Sequence, residues 1–344
     1  MNPYHLFRYV PLSLLRGLAR SAAWVVMRMP NASLRRTIRI NTFLIDPTLS
    51  KAQKHTLIQE IVLNQCLSSV ESIKSWAMSP QWSIDQIIDV HNKKILLEGL
   101  ASPNGMIAIL PHIGTWEMMN AWINQFGAPT IMYKPVKGRL LNEFILQGRQ
   151  RLSATLVPTD GSGVKAVFKT LKQGGFSMIL PDHVPEPSGG VIVPFFGIET
   201  LTSTLTPKLA SKTKCALVGV SCIRRSDGRG FDIHCYRLDN PALYDRNASV
   251  STHALNQAIE GIIEPHYSHY MWGYRRFKRI PGLDNPYRAD KDKLIAFAEM
   301  NAARNSAAQA ANPVFINTVP ITTVATSIKI TADNKLNNTN DTSI

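Results

Sequence analysis

The chain is 344 residues long, and its 38 Lys plus Arg against 24 Asp plus Glu give a formal net charge of +14. A composition that is 44% hydrophobic and 18% charged belongs to a globular chain with one large core or two modest ones, which excludes a fibrous or wholly disordered protein. The positive excess suits anionic membrane, phosphorylated lipid, nucleic acid or an acidic protein, and by itself selects none of them.

The charge is unevenly placed: residues 1–45 hold seven arginines (Arg8, Arg16, Arg20, Arg28, Arg35, Arg36 and Arg39) and no acidic residue. Residues 9–29 are apolar but interrupted by Arg16, Gly17 and Arg20, and the longest clean run, 21–27, is far short of the ~20 residues a membrane span needs. Met29-Pro30-Asn31 and the recurring arginines argue against an export signal. The expected element is an interfacial helix, with Leu14, Leu15, Leu18, Ala22, Trp24 and Val25 in lipid and arginines on anionic headgroups at about 1 kcal/mol each. The competing reading docks a cationic first helix on the protein's own core.

Residues 50–78 carry a helical pattern, with Ser50 as N-cap and Leu57, Ile58, Ile61, Val62, Cys66, Val70 and Ile73 recurring every three or four positions. After Ser79-Pro80 a second short helical stretch is expected over 84–100. Strand and helix then alternate: strands at 106–110, 130–132, 154–157 and 176–180, helices at 115–125, 138–152 and 164–171. A Pro/Gly-rich loop reaches Gly197, a helix follows at 201–212, and strands at 215–222 and 231–236 flank the Asp227-Gly228-Arg229-Gly230 turn. This alternation predicts an α/β fold: an open mixed sheet with flanking helices and an antiparallel hairpin at one edge, preceded by the N-terminal helical membrane-associating segment. Residues 301–344 are rich in Ala, Asn and Thr with five charges, the composition of a disordered tail, although 319–330 is apolar enough to pair as a strand. The expected organisation is a basic segment (1–48), an α/β domain (49–288) and a low-complexity tail (289–344). The four cysteines, Cys66, Cys215, Cys222 and Cys235, form no C-x-x-C pair and read as reduced, buried small hydrophobes.

One segment carries chemistry. Ile109-Leu110-Pro111-His112-Ile113-Gly114-Thr115-Trp116-Glu117 puts a histidine just past the carboxyl end of a strand, where open α/β sheets place their sites, and a carboxylate in the first turn of the next helix. A strand-to-helix turn folds the two together, so Glu117 is expected to accept a hydrogen bond from the imidazole and make His112 a general base. The bland reading, a satisfied histidine at a strand end, competes with it. Met118, Met119, Trp122, Ile123 and Phe126 on the same helix serve either as sheet packing or as an acyl groove.

The segment resembles the His-x4-Asp/Glu motif of the glycerolipid acyltransferase superfamily. Across roughly residues 5–280 the chain is similar to the lipid A biosynthesis late acyltransferases, the lauroyl and myristoyl transferases. The resemblance rests on that motif together with stretch 41–50, Tyr133-Lys134-Pro135, Gly148-Arg149, Pro181-Asp182-His183, Val193-Pro194-Phe195-Phe196-Gly197, Tyr270-Met271-Trp272 and Arg275-Arg276-Phe277-Lys278. It implies transfer of a fatty acyl chain from acyl carrier protein, or from acyl-coenzyme A, to a hydroxyl of a phosphorylated lipid A precursor. The work would be done at the cytoplasmic face of the inner membrane by a peripheral or monotopic protein. His112 and Glu117 are then the catalytic pair, with Arg149, Asp182, Arg275 and Arg276 binding substrate and no metal or cofactor.

Within that assignment Arg149 is a fork donor for an oxyanion or phosphate, and an exposed helix arginine is the competing reading. Asp182 follows a strand and holds the 184–197 loop beside His112, while His183 is a loop-bonding residue. Residues 193–197 either cover the acyl chain or plug the core beneath their loop. The Arg275–Arg279 run faces acidic lipid or carrier protein rather than nucleic acid. No Phe-Pro-Glu-Gly-Thr-Arg segment is present, so phosphatidic acid synthesis is the second reading. A Gly-x-Ser-x-Gly elbow, an His-Glu-x-x-His pair, a P-loop and a Gly-x-Gly-x-x-Gly fingerprint are also missing from the sequence. A non-enzymatic basic membrane- or nucleic-acid-binding protein is the third reading, and it gives His112 and Glu117 no reason to share a turn.

Overall fold

The structure, a computed structural model, describes residues 2–29 and 31–311. A 3₁₀ turn (Pro3–Arg8) leads into three helices, α1 (Leu12–Arg28), α2 (Ser33–Ile45) and α3 (Lys51–Ala77). The last starts where the sequence signals it: the Ser50 hydroxyl accepts from the Gln53 N–H and the Gln53 side chain accepts from the Ser50 N–H, a reciprocal capping box. Helix α4 (Pro80–Ile84), strand β1 (Ile87–His91) and helix α5 (Lys93–Leu100) follow. Of the helix expected over 84–100, the second half forms as α5 and the first half is instead strand β1.

The alternating part is β2 (Met106–Ile109), α6 (Trp116–Ile123), β3 (Thr130–Tyr133), α7 (Arg139–Gln150), β4 (Thr155–Pro158), α8 (Gly161–Lys172) and β5 (Phe176–Ile179). The expected loop holds to Gly189 but its end is a strand, β6 (Gly190–Phe195), paired antiparallel with β7 (Ile198–Ser203), so the helix expected at 201–212 starts later as α9 (Leu205–Thr213). Strands β8 (Ala216–Arg224) and β9 (Phe231–Arg237), then helices α10 (Ala248–Ile263) and α11 (Lys291–Ala311), complete the described chain. Helix α11 falls in the tail where low complexity predicted disorder; the expectations for 312–344 lie outside the described residues.

The main sheet has seven strands in the order β1-β9-β8-β2-β5-β3-β4, parallel except at the β8–β9 pair. The antiparallel hairpin therefore sits one strand in from the edge, because β1 adds outside β9. Strands β2 and β5 are buried at every residue, which is why they read as unbroken apolar runs rather than alternating ones. Two apolar layers cover the faces. One holds Ile107, Ile109 and Leu217 against α3, α9 and α10; the other holds Met106, Ala108 and Val220 against α5 and α6.

Helix α1 docks on α3 through Leu15, Ala19 and Ala23, while Leu14, Leu18, Trp24 and Val25 stay exposed. Leu15, expected in lipid, is thus a core residue, and the helix has both faces that the competing readings described. Among the described residues no helix is long and apolar enough to cross a membrane.

Candidate active site

The carboxyl ends of β2, β5, β3, β4 and β8 point to one edge of the sheet, and the loops leaving them build a polar site. Strands β2 and β5 pair with a constant offset, Met106 opposite Phe176 through Ile109 opposite Ile179. Continued past the strand ends, that register sets His112 opposite Asp182. The imidazole Nδ1 lies 2.7 Å from Asp182 Oδ1, and the His112 backbone N–H donates to Asp182 Oδ2 at 2.9 Å. One carboxylate thus holds both the ring and the main chain of one residue.

Asp182 is 1% exposed. Burial alone would raise its carboxyl, but the His112 ring and the two hydrogen bonds outweigh that and hold it well below the usual carboxylate range. His183 stacks on His112 with ring centroids 4.0 Å apart and leans on Tyr274 at 4.6 Å. Its pKa is pushed down, first by burial and then by the His112 and Arg276 charges. Tyr274 also takes the Val184 N–H on its hydroxyl, so the 184–197 loop is tied to this stack rather than to Asp182.

The His112 turn is stitched to residues 269–271, where a 3₁₀ turn (Glu264–His269) ends: Gly114 N–H donates to the His269 carbonyl and Met271 N–H to the His112 carbonyl. Gly114 has φ +62°, and a Cβ there would stand 1.9 Å from the Cys222 carbonyl oxygen, so this close pass needs glycine.

Glu117 departs from its expected place. It lies in the first turn of α6, but its carboxylate is engaged by Arg149 rather than by His112: its Oε1 accepts from Arg149 on α7 at 2.5 Å. It is 3% exposed, and among the described residues no hydrogen bond joins it to the imidazole. The physical reason is the β2–β5 register, which offers Asp182 to the ring first. The Arg149 guanidinium sits 4.7 Å from the Trp116 ring and 5.3 Å from Tyr133, and its buried Nε has no acceptor among the described residues.

The arginines expected to bind substrate near the carboxyl end separate. Arg275 is exposed beside the Tyr287 ring. Arg276 is 1% exposed and donates to the Leu201 carbonyl at 2.9 Å and to Thr202 Oγ1 at 2.7 Å, so it anchors β7 and is not available to substrate. Phe195 and Phe196 pack on Tyr270, Tyr267, Trp272 and Phe277, which makes the 193–197 stretch a core plug. Met118, Met119 and Ile123 are likewise buried against the sheet.

Sequence reasoning passed over Glu71. It is fully buried on α3 and accepts from Arg16 Nε at 2.8 Å, Arg224 Nε at 2.7 Å and Thr115 Oγ1 at 2.8 Å. The signal was partly masked, since Asn64 and Ser68 share its helix face, yet apart from Glu71 and Lys74 every buried position of α3 is apolar (Leu57, Ile58, Ile61, Val62, Leu67 and Ala77). A buried charge must be paired, and here it joins α1, β8 and the turn into α6.

The class these features define is an α/β protein whose polar site opens at the carboxyl edge of a mixed sheet. The sequence profile of the bacterial lipid A biosynthesis acyltransferases matches residues 4–279, and the chain belongs to that family; it is an acyltransferase. It is 26% identical over 253 residues to the lipid A biosynthesis lauroyltransferase of Escherichia coli strain K12, covering 72% of this chain and 80% of that one. The E. coli K12 lipid A biosynthesis palmitoleoyltransferase is 22% identical over 244 residues, 71% of this chain and 78% of its own. A phosphatidylinositol mannoside acyltransferase of Mycolicibacterium smegmatis is 29% identical over 156 residues, 43% of this chain and 49% of its own.

Proposed function

We propose that the chain moves a fatty acyl group from a thioester, carried on acyl carrier protein or coenzyme A, to a hydroxyl of a lipid A precursor, with His112 as general base. The observation that carries this reading is the imidazole fixed through Nδ1 by Asp182, which leaves Nε2 free to accept a proton. Nε2 takes the acceptor's hydroxyl proton as its oxygen attacks the thioester carbonyl. The new C–O bond forms, the C–S bond breaks, and the leaving thiolate takes the proton back from the imidazolium. No covalent enzyme intermediate is needed.

Arg149 serves the charge that develops on the carbonyl oxygen, or a substrate phosphate: Glu117 and two aromatic rings hold its plane, and its Nε has no protein acceptor among the described residues. Asp182 and Glu117 are positioning residues for His112 and Arg149 respectively. Arg275 contributes to attraction of an acidic donor or lipid. The exposed apolar side of α1, flanked by Arg20 and Arg28, suits peripheral attachment to the anionic face of the inner membrane. Phosphatidic acid synthesis is not favoured by the relatives above.

The test pairs purified protein with acyl carrier protein thioester and either an under-acylated lipid A precursor or lysophosphatidic acid. The expected product is the precursor heavier by one acyl group, with His112→Ala slower by at least ~10²-fold while keeping its circular dichroism. Acylation of lysophosphatidic acid alone would overturn the acceptor, and wild-type transfer by His112→Ala the mechanism.

A further inference from the structure

Between α2, the first turns of α3 and the start of α11 lies a cleft of about 590 Å³. This is within the range of about 300–1,000 Å³ typical of small-molecule sites. Four cations line it, Arg36, Arg39, Lys54 and Lys291, against one acid, Asp290, which Lys293 already engages at 3.2 Å. Lys54 is committed to the Pro47 carbonyl at 2.9 Å. Arg36 and Arg39 are exposed, and among the described residues neither guanidinium has a hydrogen-bond or ion-pair partner. The floor is apolar, made of Ile40, Phe43 and Ile58 with Leu294 and Ile295 from α11.

Helix geometry separates this cleft from the catalytic histidine. Arg36, Arg39 and Phe43 are three and four residues apart and share one face of α2. Asn41, at ~100° per residue, lies roughly 200° around the helix from both Arg39 and Phe43. It faces the other way, donating to the carbonyls of Trp272 and Tyr274, and Tyr274 leans on the His183 ring that stacks on His112. The wall supplied by α11 also lies beyond the residues that match the family, 4–279.

We propose that this cleft binds one anionic phospholipid of the membrane, with its phosphate on Arg36, Arg39 and Lys291 and an acyl chain along the floor. Unpaired guanidiniums match a phosphate in charge and in fork geometry. The apolar floor distinguishes a lipid from free phosphate, which would leave that surface wet. The site is separate from the acyl acceptor and does not depend on acyl transfer.

Calorimetric titration of the full-length protein with dihexanoyl phosphatidylglycerol below its micellar concentration tests this, because no bilayer is present to bind α1. One molecule is expected per chain. Dihexanoyl phosphatidylcholine and inorganic phosphate should each bind at least about tenfold more weakly, and so should phosphatidylglycerol to Arg36→Ala/Arg39→Ala. If that variant fails to fold, Ile295→Glu, which sets a negative charge on the half-buried wall, is expected to give the same loss. Arg20→Ala/Arg28→Ala on α1 and His112→Ala should bind as wild type does, the latter separating this site from the reaction. Unchanged affinity in the folded cleft variant, equal binding of phosphatidylcholine or of phosphate, or an equal loss in the α1 variant would each overturn the proposal.

Discussion

At His112 a single carboxylate sets both the position and the tautomer of the ring. With Asp182 Oδ1 at 2.7 Å from Nδ1, the proton is held on that nitrogen and Nε2 faces the site as an acceptor. Asn at 182 offers the same shape but can present an amide N–H₂ to Nδ1, which selects the opposite tautomer. Asp182→Asn should therefore lower kcat by about 10²–10⁴ with KM little changed, since under the proposed mechanism the effect acts through His112 and not through substrate contacts. Steady-state kinetics on the folded variant would decide it, and a change confined to KM would move Asp182 from positioning to substrate binding. The sequence set His112 after a strand and Glu117 in the first turn of α6, as the structure does, yet the hydrogen bond expected between them is absent among the described residues and Asp182 orients the ring instead. Glu117 is close in the chain, whereas Asp182 becomes close only through the β2–β5 register. The choice between them is a tertiary fact.

The β6–β7 hairpin shows how an element can hold a titrating group out of its ordinary range. Glu260 on α10 accepts the Phe196 N–H at 2.7 Å at the hairpin turn, where Phe196 adopts φ 47°. Burial raises the Glu260 pKa to about 8; Glu264 on the same helix adds to the shift, and Arg276 and the Phe196 N–H oppose it. A folded pKa above the unfolded value means the folded chain binds the extra proton. This stability is complete below about pH 4.5 and is lost as pH rises through about 8. Glu260→Gln keeps the acceptor and cannot ionise. It should flatten the fall in Tm between pH 5 and 9, gaining on the order of 2 kcal/mol over wild type at the alkaline end. Parallel Tm curves for the two proteins would refute the assignment. The hairpin was hidden in the sequence because Pro185, Pro187 and Gly189-Gly190 mark the approach as a loop. Strand β1 was hidden because its five residues pair with only one partner, β9, about 140 positions away. The regular βα alternation over 106–180 was legible, since β2 and β5 are fully buried apolar runs and helices α7 and α8 between its strands each keep one apolar face. Helix α11 has no such face in its composition. It is placed by Phe297 and Ala298 in the core and by Asn301 and Asn305 donating to the Gly197 carbonyl.

Across the molecule, the basic amino-terminal helix is coupled to the sheet by charge. Arg16 Nε and Arg224 Nε share Glu71 Oε1, and Oε2 of the same carboxylate takes the Thr115 hydroxyl at the start of α6. Lys74 donates to the carbonyls of Phe7, Arg8 and Val10 and so fixes the turn ahead of α1. With one side of α1 locked in this way, its other side is a rigid surface on which Leu14, Leu18 and Val25 are 55%, 59% and 45% exposed. These positions are four and seven apart, so they form one stripe, and a fixed stripe enters a bilayer without paying the entropy of helix formation at the surface. Transfer of three half-exposed aliphatic side chains to lipid is worth on the order of 3 kcal/mol together. Leu14→Ser/Leu18→Ser/Val25→Ser should therefore weaken co-flotation with vesicles of phosphatidylethanolamine and phosphatidylglycerol by about a hundredfold. None of the three side chains is buried in the folded chain, so Tm should stay within a few degrees of wild type. A variant that floats as wild type does would show that α1 is not the surface that meets the lipid. A large drop in Tm would mean instead that the stripe packs within the protein.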